Sequence, residues 1–222
     1  MGRAINRYTE NECMVDNIDN DKAQIDRAVA MRDNRDFDGA IAIYTQLLTK
    51  YPRSVLYFER GTTYSERGDF SEAILDLTKA IELDSIDMEA YVNRANAYSQ
   101  LGQCDAAIRD YNKAIQLLTP TLAYAYNGRG AAYRKTGRTE EATDDFELAS
   151  QLDSSYISPH YNLAEVCFAN DQFDESLAYL DRARQIDPDD ARIQVLRGEV
   201  HAALENRKRR QNPKNDTTTS TD

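Results

Sequence analysis

Residues 57–84 read YFERGTTYSERGDFSEAILDLTKAIELD, and this stretch decides the fold. Tyr57, Gly61 and Tyr64 stand at spacings of four and three, and after Gly68 come Phe70, Ala73, Leu77 and Ala80 at the same helical rhythm. The pattern recurs. Aligned on the small residue that opens each match, the copies fall at Ala28, Gly61, Ala95, Gly130 and Ala164, which are 33, 34, 35 and 34 residues apart. A period of this length belongs to helical solenoids, in which each unit buries its apolar side against its neighbours.

Three first helices show the device most clearly: YFERGTTYSERG at 57–68, YVNRANAYSQLG at 91–102 and YNGRGAAYRKTG at 126–137. Each pairs two tyrosines seven residues apart with a small residue between, so that a partner helix can approach while the rings fill the space on either side. Gly68, Gly102 and Gly137 follow, where a left-handed backbone stops the helix. Ala73, Ala107 and Ala142 then repeat the close-contact position in a second helix, and Asp69 with Glu72 has the spacing of a capping box. Each unit is a helical hairpin, and the repeats run about 21–53, 54–87, 88–122, 123–156 and 157–190.

The end units are less regular. In the first, Gln24 and Met31 replace tyrosines, but Phe37, Ala40, Ile41, Tyr44, Leu47 and Leu48 keep the second stripe until Pro52. The third unit carries one extra residue, with Leu118, Thr119 and Pro120 in its connection. In the fifth, His160, Cys167 and Ser176 replace Tyr, Tyr and Ala, and Ser158-Pro159 has the form of an N-cap and first turn. Residues 191–206 form one more amphipathic helix that shields the last hairpin. Residues 1–20 read as a flexible polar arm, and 207–222 as a disordered basic and Thr-rich tail.

The run of Tyr57, Gly61, Tyr64, Ala73, Leu77 and Ala80, of Tyr91, Ala95, Tyr98, Ala107, Tyr111 and Ala114, and of Tyr126, Gly130, Tyr133, Ala142, Phe146 and Ala149 resembles the tetratricopeptide repeat (TPR) family. Only Pro52 and Pro188 supply the family's closing proline; Ser85, Thr119 and Ser154 replace it elsewhere. The resemblance covers residues 21–206 and implies an all-α, right-handed superhelical solenoid of helix-turn-helix hairpins, with a C-terminal capping helix and a groove that binds segments of other proteins. One branch of the family clamps the acidic C-terminal tail of heat-shock proteins. Asn93 matches the middle position of that clamp, but Phe58, Thr62, Tyr124 and Gly128 stand at the others, so the heat-shock tail is not expected as a partner.

Composition narrows the function classes. The 27 Lys and Arg against 38 Asp and Glu give a formal charge of −11, which argues against nucleic acid or an anionic membrane as partner. Cys13, Cys104 and Cys167, odd in number and without a CxxC pair, fit a reducing compartment, and no apolar run has the length of a secretory signal or a membrane span. A cytoplasmic protein is expected. His160 and His201 are the only histidines, no HExxH, GxxxxGK[ST] or GxSxG occurs, and Cys104 and Cys167 read as buried inert thiols, so no catalytic residue, metal site or cofactor is expected.

Two patterns remain. Arg60, Arg94 and Arg129 each lie sixteen residues before Asp76, Asp110 and Asp145, whereas the fifth unit has Leu163 and Tyr179 there, and this spacing predicts a ladder of ion pairs with a structural role. Helical spacing also sends Ile25, Phe58, Val92, Asn127 and Tyr161 into the groove, with Val29, Thr62, Asn96 and Glu165 one turn on and Arg32, Arg134 and Phe168 beyond them. That surface, with apolar anchors and few charges, suits a peptide or amphipathic helix of a partner protein. The expected function is a non-enzymatic adaptor or co-chaperone-like scaffold; the alternatives are a self-assembling homo-oligomeric scaffold and a regulatory subunit of an enzyme complex.

Overall fold

A computed structural model describes residues 21–117 and 122–211, and these residues fold as helices alone, with no strand among them. The expected arm, the tail beyond Gln211 and the Leu118–Pro120 connection lie outside the described residues. The chain forms two compact units, Met1–Leu117 and Leu118–Asp222. The first holds α1 (21–33), α2 (Phe37–Lys50), α3 (Ser54–Arg67), α4 (Phe70–Leu83), α5 (Met88–Gln100) and α6 (Cys104–Gln116). The second holds α7 (Leu122–Lys135), α8 (Thr139–Leu152), α9 (Ile157–Ala169), α10 (Phe173–Ile186) and α11 (Ala191–Gln211). Within each unit successive helices pack on one another, as an all-α repeat solenoid requires.

The five hairpin turns are built alike. The backbone is left-handed at Arg35, Gly68, Gly102, Gly137 and Asp171. The amide after each donates to a carbonyl five residues back: Asp36 to Met31, Asp69 to Tyr64, Gln103 to Tyr98, Arg138 to Tyr133 and Gln172 to Cys167, at 2.8–2.9 Å. This is the Schellman arrangement, and it reverses the chain in two or three residues.

The small residues set the distance between paired helices. A Cβ on Gly61 would stand 2.9 Å from Leu77 Cγ and 3.3 Å from the Ala73 carbonyl oxygen. On Gly130 it would stand 2.8 Å from Phe146 Cε1. Ala73, Ala107 and Ala142 are fully buried opposite.

Three local expectations change. Asp69 makes no side-chain cap; its carboxylate takes the Arg67 guanidinium instead, so the capping box is absent. Helix α9 opens at Ile157 with Tyr156 as its N-cap, which moves Ser158-Pro159 inside the first turn and buries Pro159. Helix α11 also runs past Asn206 to Gln211, held by Arg207, which lies over the Phe173 ring and donates to the Asp171 carbonyl at 3.1 Å.

Candidate functional site

The ladder joins the two helices of single hairpins. Arg60 Nε and Nη2 reach both oxygens of Asp76 at 2.6 and 2.8 Å, Arg94 reaches Asp110 at 2.7 and 2.8 Å, and Arg129 reaches Asp145 at 2.7 and 2.6 Å. All three aspartates are buried. Arg60 and Arg94 also donate to Thr45 and Thr78 of the preceding hairpin, at 2.9 and 3.0 Å.

The paired tyrosines do more than fill space. Tyr57 and Tyr64 flank Arg60, Tyr91 and Tyr98 flank Arg94, and Tyr126 and Tyr133 flank Arg129, with ring centroids 5.2–6.0 Å from the guanidinium carbon. Hydrogen bonding to Asp145 raises the Arg129 pKa, while burial pushes the Asp145 carboxyl up despite that partner. The ladder is a structural frame. It places the opposite face of each first helix.

In the first unit that face carries Ile25, Val29 and Arg32 on α1, Phe58 and Thr62 on α3, and Val92 and Asn96 on α5. Arg32 Nη1 meets Glu59 Oε2 at 2.6 Å and its Nε lies 3.8 Å from Glu66. Burial works against that charge, but Glu59 and then Glu66 outweigh it and raise the Arg32 pKa. Asn93 donates to Thr62 Oγ1 at 3.1 Å, and the Tyr111 hydroxyl donates to Asn96 Oδ1 at 2.5 Å. Beneath them Tyr44 is fully buried, and burial with nearby Glu59 pushes its hydroxyl up to about 12. Tyr44 Oη and Arg32 Nε are buried atoms without a hydrogen-bond partner.

In the second unit Asn127 joins its neighbours twice, donating to Tyr156 Oη at 3.0 Å and accepting from Asn162 at 2.9 Å. Tyr124 packs on Tyr156 with centroids 4.5 Å apart. Arg134 pairs with Glu165 at 2.5 Å. Tyr161 lies under the Arg192 guanidinium and Phe168 stands 6.0 Å from Phe173.

The predicted residues thus share helix faces, but their character is revised. Ile25 packs against the core of α1–α3, and Tyr161 and Phe168 against that of α9–α11, so these three are core edge as well as surface. Phe58 and Val92 are half-buried, and the charges present are paired across adjacent first helices. Glu59, Asn162 and Tyr156 were missed. They occupy varied positions between the tyrosine and the small residue, or in a turn, where periodicity carries no signal.

Among the described residues no group of three or more His, Cys, Asp or Glu is arranged to hold a metal ion. Cys104 and Cys167 are free and half-buried rather than fully buried, and burial pushes the Cys167 thiol up, away from nucleophilic use. No described helix is long and apolar enough to cross a membrane.

Patterns of the tetratricopeptide repeat match residues 22–54 and 133–200, and those of the TPR repeat match 61–102 and 95–137. No curated protein matches the chain by sequence. Among solved structures, MamA is 27% identical with a TM-score of 0.65, over 74% of this chain and 96% of that one. PilF of Pseudomonas aeruginosa is 16% identical with a TM-score of 0.72, over 87% and 92%. YrrB, described as a TPR protein with an unusual peptide-binding site, is 19% identical with a TM-score of 0.64, over 87% and 97%. The latter two likenesses concern the fold.

Proposed function

Because this chain belongs to the tetratricopeptide repeat family, we propose that it is a non-enzymatic adaptor, co-chaperone-like in gripping a segment of a partner protein on the exposed face of its first helices. The observation that carries this reading is the face of α1, α3 and α5. There Phe58 and Val92 are half-buried side chains amid the Arg32–Glu59 and Asn93–Thr62 cross-links. A partner's apolar side chains can cover Phe58 and Val92. Family members serve as scaffolds for protein interaction, and the peptide-binding site described for YrrB supports the same use of this fold. The half-buried thiols and the absence of a membrane-crossing helix among described residues accord with work in a reducing cytoplasm.

The test is a displayed peptide library selected on the wild-type chain, followed by affinities for Phe58→Glu. Selected peptides should lose at least about tenfold in affinity while helicity by circular dichroism stays unchanged. Equal affinity for the folded variant would move the interface off this face.

A further inference from the structure

Helix α11 is in register with the repeats. Gly198 lies 34 residues after Ala164, and Arg197-Gly198 takes the place of Arg60-Gly61, Arg94-Ala95 and Arg129-Gly130. It is therefore the first helix of a sixth hairpin. Its inner side, Ile193, Leu196 and Val200, is buried on the core of α9 and α10.

The side that should receive a second helix is open. A Cβ on Gly198 meets nothing within 4 Å, whereas Gly61 and Gly130 are in contact with Leu77 and Phe146. Gln194, His201 and Ala202 on that side are exposed. Arg197, with no aspartate from a hairpin partner, turns to Asp181 of α10. Residues 212–222, NPKNDTTTSTD, offer no apolar stripe to cover it.

The sequence holds the complementary half at its other end. Ala4-Ile5-Asn6-Arg7-Tyr8 repeats the apolar pattern of the second helices at Ala40-Ile41-Ala42-Ile43-Tyr44 and Ala107-Ile108-Arg109-Asp110-Tyr111. Its position is also right. Ala4 precedes Ala28 by 24 residues, while Ala40, Ala73, Ala107 and Ala142 precede the next first-helix small residue by 21, 22, 23 and 22. Arg7 stands where Asp110 does in the sixteen-residue ladder, a place Ile43 takes in the first hairpin, so an acid there is not required for packing. Asp181, whose side chain is 48% exposed beside Arg197, is the carboxylate available to both guanidinium groups.

We propose that residues 3–15 of a second copy dock as a helix on the Gln194, Arg197, Gly198 and His201 side of α11, completing the sixth hairpin and joining chains head to tail. Local charge opposes this meeting less than the net charge does. Two copies at −11 repel, but α11 carries six Lys and Arg against two Glu, and residues 3–15 carry two Arg against two Glu, with Asp16 and Asp19 following them. The contact is heterologous, so each dimer keeps one free arm and one free face, and chains add until a ring closes or a filament grows.

Sedimentation velocity across a dilution series tests it. The wild-type mass should rise with concentration, while Gly198→Arg, which fills the open face, and a separate Ala4→Glu, Tyr8→Glu variant should each stay monomeric. Mixed, the two variants should form a one-to-one dimer that grows no further, because one retains a sound arm and the other a sound face. His201→Glu repeats the α11 test should Gly198→Arg lose helicity. A wild type that is monomeric at every concentration would overturn the proposal. So would association that survives both α11 variants, which would seat the arm elsewhere, or a mixture that fails to dimerise.

Discussion

A single methyl group separates each glycine of the first helices from an alanine, and its effect differs from site to site. In an exposed helix Gly→Ala is stabilising by about 0.5–1 kcal/mol. At Gly130 the added carbon would meet Phe146 at 2.8 Å and the Ala142 carbonyl at 3.1 Å, so crowding wins. Gly130→Ala should cost about 1–3 kcal/mol, whereas Gly198→Ala, facing open space, should raise the melting temperature. Chemical denaturation of both variants checks the sign at each site. His160 is another residue whose environment decides its effect. It is 8% exposed, and burial, then the Arg182 charge, lower its pKa from the ordinary 6.5, against the pull of the Ser154 backbone. The folded chain then binds a proton there less readily than the unfolded one. Its contribution is intact above the ordinary value and is lost as pH falls through 6.5 towards the folded value. Between about pH 7.5 and about pH 5 the wild type should lose a few degrees more of melting temperature than His160→Tyr, which restores the residue of the second, third and fourth hairpins. Equal losses would show that His160 is neutral to folding.

At the scale of helix pairs, the ladder is the element to test. Arg94 and Asp110 are 15% and 10% exposed as side chains, and cutting one partner strands the other in the interior. Arg94→Ala should therefore destabilise by about 3–5 kcal/mol. The fifth hairpin replaces the pair with Leu163, buried, and Tyr179, half-buried, so an Arg94→Leu, Asp110→Tyr double variant should recover most of the loss. Urea midpoints for the single and double variants decide this; an unchanged midpoint for Arg94→Ala would reduce the ladder to a solvated face. This pairing was legible beforehand because sixteen residues is the distance from a first helix, over a short turn of two or three residues, to the facing position on the second. The hairpins were legible for the same reason: Tyr57, Gly61 and Tyr64 repeat because packing repeats. Caps were not. Asp69 found Arg67 closer than its own helix amides, a choice between neighbours that spacing does not encode. Nor was the polar dressing of the candidate face, since Glu59, Asn93 and Asn162 occupy one repeat position with different residues and take their partners from an adjacent helix.

For the whole molecule, the formal charge of −11 and the local ion pairs act in opposite directions when salt is added. Lys79–Glu82, Arg138–Glu141 and Lys208–Glu205 are exposed pairs of little individual worth, whereas the ladder pairs are sheltered from screening. Self-repulsion is then the larger screened effect. Raising salt from about 0.01 M to about 0.15 M should increase the melting temperature by about 2–4 °C, and a decrease would show that surface pairs outweigh net charge. The chain's lack of tryptophan gives the arginine–tyrosine stacks a further consequence. Of its 14 tyrosines, six clasp the ladder guanidinium groups, so much of the near-ultraviolet dichroism originates where the hairpins are joined. The protein carries its own optical gauge of hairpin closure, and one tryptophan introduced at Phe58 would report on the proposed binding face against a dark background.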